Sequence, residues 1–296
     1  MLEDLHIAPQ YDGFIFLADA TRNPPVLRPH RHVELELNLV VQGSITYVLG
    51  TRRFTFEKGA LLWLFPSQRH QLVDRSADAR YFVAVFKPEM IDKACHSDRY
   101  GRMRNPRIGD EEVLSSTLES RAFHLIQQSM MTLLDDGLDA DVLNREAGFG
   151  VNDDFSFQHG DPDWLNAGLR HLLLLCWRLQ AEPGKRKGEG QLHPSIRKAL
   201  DLMGRAEEFG PLAELANQCG VSSAYLSRTF HQQVGVTLVR YRNSLRLSRF
   251  WERYRGPSQR TMMEAAFDAG FGSYAQFFRV FQDAYGTGPR EMLKRE

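Results

Sequence analysis

The chain has 296 residues, 43% hydrophobic and 25% charged, the composition of a folded protein with room for two cores. Cys95, Cys176 and Cys219 are an odd number with no CxxC spacing, which argues against a disulfide framework or zinc knuckle. The start, MLEDLHIAPQ, is neither basic nor apolar enough for a signal peptide, and the longest apolar run, Leu172–Trp177, is far short of a membrane span, so a cytoplasmic protein is expected. The 37 basic and 37 acidic side chains cancel overall, but residues 193–296 hold 15 Lys and Arg against 10 Asp and Glu, and the first 192 hold 22 against 27. A basic C-terminal part on an acidic partner suits phosphate binding by the former alone.

Residues 1–90 read as β-structure. Val33, Leu35, Leu37 and Leu39 alternate with Glu34, Glu36 and Asn38, the period of a strand with one apolar face. Gly43 breaks this run, and Ile45–Leu49, Arg53–Phe56, Leu61–Phe65 and Tyr81–Phe86 follow as short strands between Gly and Pro. That pattern predicts a small antiparallel barrel or jelly roll.

His30, His32, Glu34 and Glu36 are spaced by two, so they share one side of the chain, and two imidazoles with a carboxylate can converge on one ion. The stretch resembles the first cupin motif, in which HxH, three residues, Glu, six residues and Gly appear as His30, His32, Glu36 and Gly43. Gly59, Pro66 and His70 resemble the second motif, which would bring a third imidazole. Pro24 stands where the first motif opens on glycine, and Ser67-Gln68 lacks the usual turn glycine. Three readings stay open: a divalent metal on His30, His32, Glu36 and His70; a polar lining of His30, His32, Glu34, Glu36 and His70 for an effector pocket; or a structural hydrogen-bond cluster.

From about 110 the apolar period lengthens. Val113, Leu114, Leu118, Phe123, Leu125, Ile126, Met130, Leu133 and Leu134 fall mostly at helical spacings, while 139–159 has no clear period. Asp161-Pro162 then opens a helix with a cap and a proline in its first turn, and Leu165, Leu169, Leu172, Leu173, Cys176 and Leu179 form an apolar stripe. The stripe is core against the barrel or a dimer seam. Residues 181–191 (AEPGKRKGEGQ), with Pro, three Gly and the Lys185-Arg186-Lys187 triplet, suit a flexible, basic linker.

Beyond the linker a pattern occurs twice. Ala216, Gly220, Val221 and Ser222 read as helix, tight turn and N-cap of a second helix that runs through Phe230. Ala266, Gly270, Arg279, Phe281 and Gly286 repeat Ala216, Gly220, Arg228, Phe230 and Gly235 at an offset of 50 before the turn and 51 after it, so the second turn carries one extra residue. Cys219, just before the turn glycine, reads as a small buried filler.

With Leu226, Tyr241, Arg246-Leu247, Phe271, Phe277 and Pro289, these residues resemble the paired helix-turn-helix domain of AraC/XylS-type transcription regulators over 193–296. Met292-Leu293 stands where that family usually shows Tyr-Arg, and Gly288 where it shows Thr. The resemblance implies DNA as a partner, a barrel that senses a small-molecule effector, often without metal, and helices after the barrel that pair two subunits as a homodimer.

In the first copy Ser223, Ala224, Ser227, Arg228 and His231 gather on the polar face of the second helix, opposite Leu226 and Phe230. The second copy offers Tyr274, Ala275, Phe278, Arg279 and Gln282, opposite Phe277 and Phe281. A helix presenting such groups fits the major groove: an arginine can bridge a guanine, and an alanine methyl can meet a thymine methyl. Phe278 either packs on thymine methyls or folds onto the neighbouring helix. The helix from Val239 to Tyr254 fixes the spacing of the two readers, which should enter successive grooves about 34 Å apart. Its Arg240, Arg242, Arg246, Arg249, Arg253 and Arg255 are expected to be mostly solvated or on phosphate.

The fold expected is therefore α+β: a cupin-like antiparallel barrel over 1–110, a helical dimerisation region over 111–181, a linker over 182–192 and an all-α double helix-turn-helix over 193–296. The expected function is an effector-responsive, DNA-binding transcription regulator without enzymatic activity. The alternatives are a metal-dependent cupin enzyme fused to a DNA-binding domain, and a constitutive regulator whose barrel binds no effector.

Overall fold

The computed structural model describes residues 5–105, 108–109, 111–135, 157–180, 184–187, 189–205, 210–255 and 260–293. Its strands are β1 Gly13–Asp19, β2 Leu35–Gln42, β3 Ser44–Leu49, β4 Arg52–Glu57, β5 Ala60–Leu64, β6 His70–Arg75, β7 Arg80–Phe86, β8 Glu112–Thr117, β9 Gly184–Lys187 and β10 Glu189–Gln191. The helices are α1 Pro88–Ala94, α2 Gly101–Arg104, α3 Ser120–Asp135, α4 Pro162–Leu179, α5 Pro194–Arg205, α6 Leu212–Gln218, α7 Ser223–Val234, α8 Leu238–Tyr254, α9 Met262–Asp268, α10 Tyr274–Tyr285 and α11 Pro289–Leu293.

The strands form two antiparallel sheets rather than a closed barrel: a six-stranded sheet ordered β1-β7-β2-β5-β8-β9 and a four-stranded sheet ordered β10-β4-β3-β6. The β2 pattern predicts one apolar and one polar face, and both faces prove to be covered, because β2 lies between β7 and β5 in mid-sheet. Leu37 pairs with Trp63, whose indole Nε1 donates to Gln180 Oε1 at 2.8 Å and whose ring meets Trp177 edge-on, so α4 closes that side. Glu36 faces the other way, toward His70 of the four-stranded sheet. Only that inward orientation explains why Glu36 and Asn38 are buried.

Two expectations need correction. Val113 and Leu114 do not begin a helix; they lie in β8, paired with β5, and the helix starts at Ser120. Two adjacent apolar residues fit either period, and the free edge of β5 decides between them. Within the expected flexible linker, Gly184–Lys187 and Glu189–Gln191 are strands on β8 and β4. Edge pairing uses backbone groups, which composition does not report. The aperiodic stretch at 139–159 lies outside the described residues apart from 157–159, as do 181–183 of the linker.

The stripe on α4 is core. Leu165, Leu169, Leu172, Leu173 and Cys176 are fully buried with Phe123, Ile126, Met130 and Leu133 of α3 against the sheet. At roughly 1.5–3 kcal/mol per fully buried apolar side chain, this seam is a principal fastening of the α-layer.

Helices α5 to α11 make the double helix-turn-helix. Ser222 accepts from the Tyr225 amide at 3.2 Å and Ser273 from the Gln276 amide at 3.2 Å, capping α7 and α10 as the sequence predicts. Gly220 and Gly270 hold φ of +72° and +88° in the two turns, a region that strains other residues. The turns run 219–222 and 269–273, so the second is longer by the one predicted residue. Cys219 is buried as expected, and Met292 is buried in the second copy's core in spite of its departure from the family pattern.

The first copy's core is completed by the β-domain. Val26, Val48 and Val73 pack with Ile196, Leu200, Leu226, Phe230, Leu238 and Tyr241. Side chains alternate along a strand, so β3 turns Tyr47 and Leu49 into the β-domain core and Val48 out toward α5 and α8.

Candidate ligand site and nucleic-acid interface

His30, His32, Glu36 and His70 converge as their spacing predicts, each offering one ligand atom, with all four atoms within 4.8 Å of one another. The fold assembles them from three places. β2 carries Glu36, β6 begins at His70, and the segment before β2 carries His30 and His32. An isolated antiparallel bridge ties two of them together, His30 N donating to His70 O at 3.1 Å and His70 N to His30 O at 3.0 Å.

Each imidazole is held through Nδ1 by a backbone carbonyl: His30 by Arg28 at 2.8 Å, His32 by Glu34 at 3.1 Å and His70 by Gln68 at 3.0 Å. A carbonyl on Nδ1 fixes each ring and leaves Nε2 turned into the cluster, the arrangement that orients metal-binding histidines. Nε2 of His32 lies 3.1 Å from Glu36 Oε2. That of His70 lies 3.6 Å from the same oxygen, is buried and makes no hydrogen bond. Burial alone would raise the Glu36 carboxyl, but the imidazoles of His32, hydrogen-bonded to it, and of His70 beside it outweigh burial and hold the group well below the usual range, as a carboxylate. Burial, with the neighbouring His70, lowers His30 to about 3, which keeps that ring neutral. Three imidazoles and one carboxylate, with His32, Glu36 and His70 buried and His30 partly so, fit a divalent transition-metal ion.

Glu34, expected in the same set, stands apart: its Oε2 is buried, 3.5 Å from His32 Nδ1 on the side away from the other ligands. Two contributors escape sequence reading. Asn38 donates to Glu36 Oε1 at 2.6 Å, and its signal is the same two-residue spacing. Gln68 takes over from the missing turn glycine. Its Oε1 accepts from the Phe65 amide at 2.8 Å, while Ser67 holds φ +65°. Its Nε2 donates to Gly109 O at 2.9 Å and Glu112 O at 3.0 Å.

On the nucleic-acid side, α7 exposes Ala224, Arg228 and His231, with Ser223 and Ser227 half-buried, and turns Leu226 and Phe230 inward. α10 exposes Ala275, Phe278, Arg279 and Gln282 over buried Phe277 and Phe281, with Tyr274 half-buried. Phe278 is 38% exposed, its ring 6.4 Å from that of Tyr274 and its edge against Gly288 just ahead of α11, so it is partly open to a groove and partly packed on its neighbour. The two faces therefore present the polar and small side chains that major-groove reading needs.

The connecting helix α8 is not the solvated basic rod its arginines suggest. Arg249 is 4% exposed, and desolvation with Arg28 nearby lowers it to about 10. Arg242 donates from Nη2 to Gly210 O at 2.5 Å, Arg246 to Asn243 Oδ1 at 2.9 Å, and Arg255 stacks over the Trp251 ring at 4.3 Å. Arg240 reaches Asp74 of β6 at 3.4 Å. Among the six arginines named above, only Arg240 and Arg253 are exposed. The β-domain covers the face that α8 turns from its own helices, a neighbour that helix periodicity cannot reveal.

Residues 15–149 match the family described as the AraC-like ligand binding domain, and residues 215–295 match a helix-turn-helix domain family. Among solved structures, unsaturated-fatty-acid-bound ToxT from Vibrio cholerae is 13% identical, covering 95% of this chain and 94% of its own, with a TM-score of 0.39. The C-terminal domain of AraT, a response regulator from Geobacillus stearothermophilus, is 22% identical over 36% of this chain and 89% of its own, with a TM-score of 0.32. The AraC-like transcriptional activator CuxR is 12% identical over 81% of this chain and 77% of its own, with a TM-score of 0.34. A comparison with curated proteins returns no match.

Proposed function

Because the chain belongs to the AraC-type transcription regulators, an AraC-like ligand-binding domain joined to a helix-turn-helix domain, we propose that α7 and α10 read a DNA operator under control of a ligand held by the His/Glu cluster. The observation that carries the DNA reading is the duplicated, capped helix-turn-helix, with Arg228 and Arg279 exposed at equivalent positions. What supports the ligand reading is the four-ligand cluster, above all the buried His70 Nε2 that makes no hydrogen bond. The occupant we favour is a divalent transition-metal ion, alone or as the anchor of a small organic effector. His30, His32 and His70 would bind it through Nε2 and Glu36 through a carboxylate oxygen.

In this reading the metal is a signal and no reaction is catalysed; the protein acts in the cytoplasm, where its DNA is. It works as a homodimer, for which Leu125 of α3 and Trp164 of α4, exposed at 45% and 44%, offer apolar contacts on the helices packed against the sheet. No helix among the described residues is long and apolar enough to cross a membrane.

Selection of bound duplexes from a randomised pool by the purified protein tests the DNA reading. Two enriched elements, one per groove, are expected, and a pool that stays random would overturn it. Zn(II) titration followed by calorimetry tests the ligand reading: stoichiometric binding that disappears in His32→Ala is expected.

A further inference from the structure

Two short strips of the β-domain each supply one candidate ligand together with contacts that dock the DNA-binding domain. In the first, Arg28 Nη2 pairs with Glu252 Oε2 of α8 at 2.7 Å, Pro29 packs against Gly204 of α5, and His30 turns into the cluster. In the second, Arg69 pairs with Asp201 of α5, His70 turns into the cluster, and Gln71 donates to Tyr241 Oη of α8 and to Leu27 O at 3.2 Å. Alternation along β6 separates the roles, with His70 inward and its two neighbours outward. The His30–His70 backbone bridge joins the strips at the cluster itself.

From the cluster to a reading helix is a short path. Gln71 follows His70 in the chain, it holds Tyr241, and the buried Tyr241 ring lies 5.4 Å from Phe230 of α7.

We propose that occupation of the His/Glu cluster by a divalent metal ion loosens the docking of the β-domain on α5 and α8, and so makes the first reading helix responsive to that ion. The proposal rests on the reading of the cluster as a ligand site. Its physical basis is contraction. Bonds of about 2.0–2.1 Å in a tetrahedral site place ligand atoms roughly 3.4 Å apart, whereas here they spread over as much as 4.8 Å. Closing on an ion draws His30 and His70 inward. Pro29, Arg69 and Gln71 are carried with them, away from Gly204, Asp201 and Tyr241. Linkage requires the reverse effect: a chain with weakened docking binds the ion more tightly.

The test uses the full chain and Zn(II) alone, with calorimetry for binding and amide hydrogen exchange for docking. The expected result is faster exchange in 194–205 and 238–254 on addition of Zn(II), absent in His32→Ala, together with several-fold tighter Zn(II) binding by Gln71→Ala. Arg28→Ala, at an exposed ion pair remote from the core, is the second variant should Gln71→Ala not fold, and tighter binding is expected there too. Zn(II) binding with unchanged or slower exchange, or with equal affinity in the docking variants, would overturn the coupling and leave the ligand site standing. No Zn(II) binding by the unmodified chain would overturn both.

Discussion

Gln71 of β6 hydrogen-bonds the hydroxyl of Tyr241 on α8, joining residues 170 positions apart across the boundary between the sensing and DNA-binding parts. Both residues are buried, and burial pushes the Tyr241 hydroxyl up, so it stays protonated and can donate as well as accept. Around them Val48 and Val73 complete the apolar core of the first helix-turn-helix. The β-domain is thus a structural wall of the DNA-binding domain as well as its neighbour.

Tyr241→Phe removes the hydroxyl and leaves Gln71 only its 3.2 Å bond to Leu27 O. The expected cost is about 1 kcal/mol in the full chain, the usual net worth of one hydrogen bond. In a fragment spanning 193–296, which lacks Gln71, the same substitution should cost nothing. Denaturant unfolding of both proteins checks the pair of values, and an equal loss in fragment and full chain would place the effect within the helical core.

The fragment itself is expected to fold and to bind operator DNA, since each helix-turn-helix keeps its own caps and aromatic core. It should melt below the full chain because Val26, Val48 and Val73 no longer cover Ile196, Leu200 and Leu238. Losing three such contacts costs on the order of a few kcal/mol at roughly 25 cal/mol per Å² of apolar surface re-exposed. Calorimetric melting of the two proteins provides the comparison.

Ser67 bears on the ligand site. It holds φ +65° at the turn before His70, where the cupin pattern has glycine, and the left-handed region costs a non-glycine residue of order 1 kcal/mol. Ser67→Gly should be neutral or stabilising by a few tenths of a kcal/mol, since relief of strain is offset by glycine's greater entropy in the unfolded chain. Gln68→Ala should be costly, for it deprives the Phe65 amide, Gly109 O and Glu112 O of their partner and loosens the turn that aims His70. A loss of about 2–3 kcal/mol in chemical denaturation, with weaker Zn(II) binding, is the expected result. Unchanged Zn(II) affinity would mean that His70 is aimed from elsewhere.

Much of this was legible in the residues. The two helix-turn-helix copies show because glycine at a left-handed turn, serine at a cap and phenylalanine in a core are each close to obligatory, and the chain states them twice. The cluster shows because a two-residue period puts His30, His32 and Glu36 on one side of the chain. What escaped is whatever depends on a neighbour from elsewhere. Asn38 reads only as part of the polar side of its strand, and the second sheet makes that side interior. Val113 and Leu114 fit a helix as well as a strand until the edge of β5 claims them. The α8 arginines read as mostly solvated or on phosphate, and Arg249 is instead buried, with Arg28 of the β-domain beside it.

That last point changes what the arginines of the DNA-binding domain are expected to do. Arg228 and Arg279 are exposed at equivalent positions of α7 and α10. If they bridge guanines, Arg228→Ala or Arg279→Ala should cost roughly 1–3 kcal/mol on the selected operator and relax preference at one base pair, with little effect on scrambled duplex. Arg242 is the contrast. A free arginine on phosphate would, when removed, weaken operator and scrambled DNA alike and flatten the salt dependence by about one unit. Here its guanidinium is half-buried and holds Gly210 O at 2.5 Å just ahead of α6. Arg242→Ala is therefore expected to lower stability by about 1 kcal/mol through the lost carbonyl contact, with the slope of log affinity against log salt unchanged. Arg253, exposed on the same helix, should show the phosphate behaviour instead. Affinities for operator and scrambled duplex at two salt concentrations, with a melting curve for each variant, separate the three cases. A flattened slope in Arg242→Ala would show that its carbonyl contact gives way to phosphate when DNA binds. Equal losses on both duplexes in Arg228→Ala would make that residue a phosphate clamp, leaving Ala224, Ser227 and His231 to read the first groove.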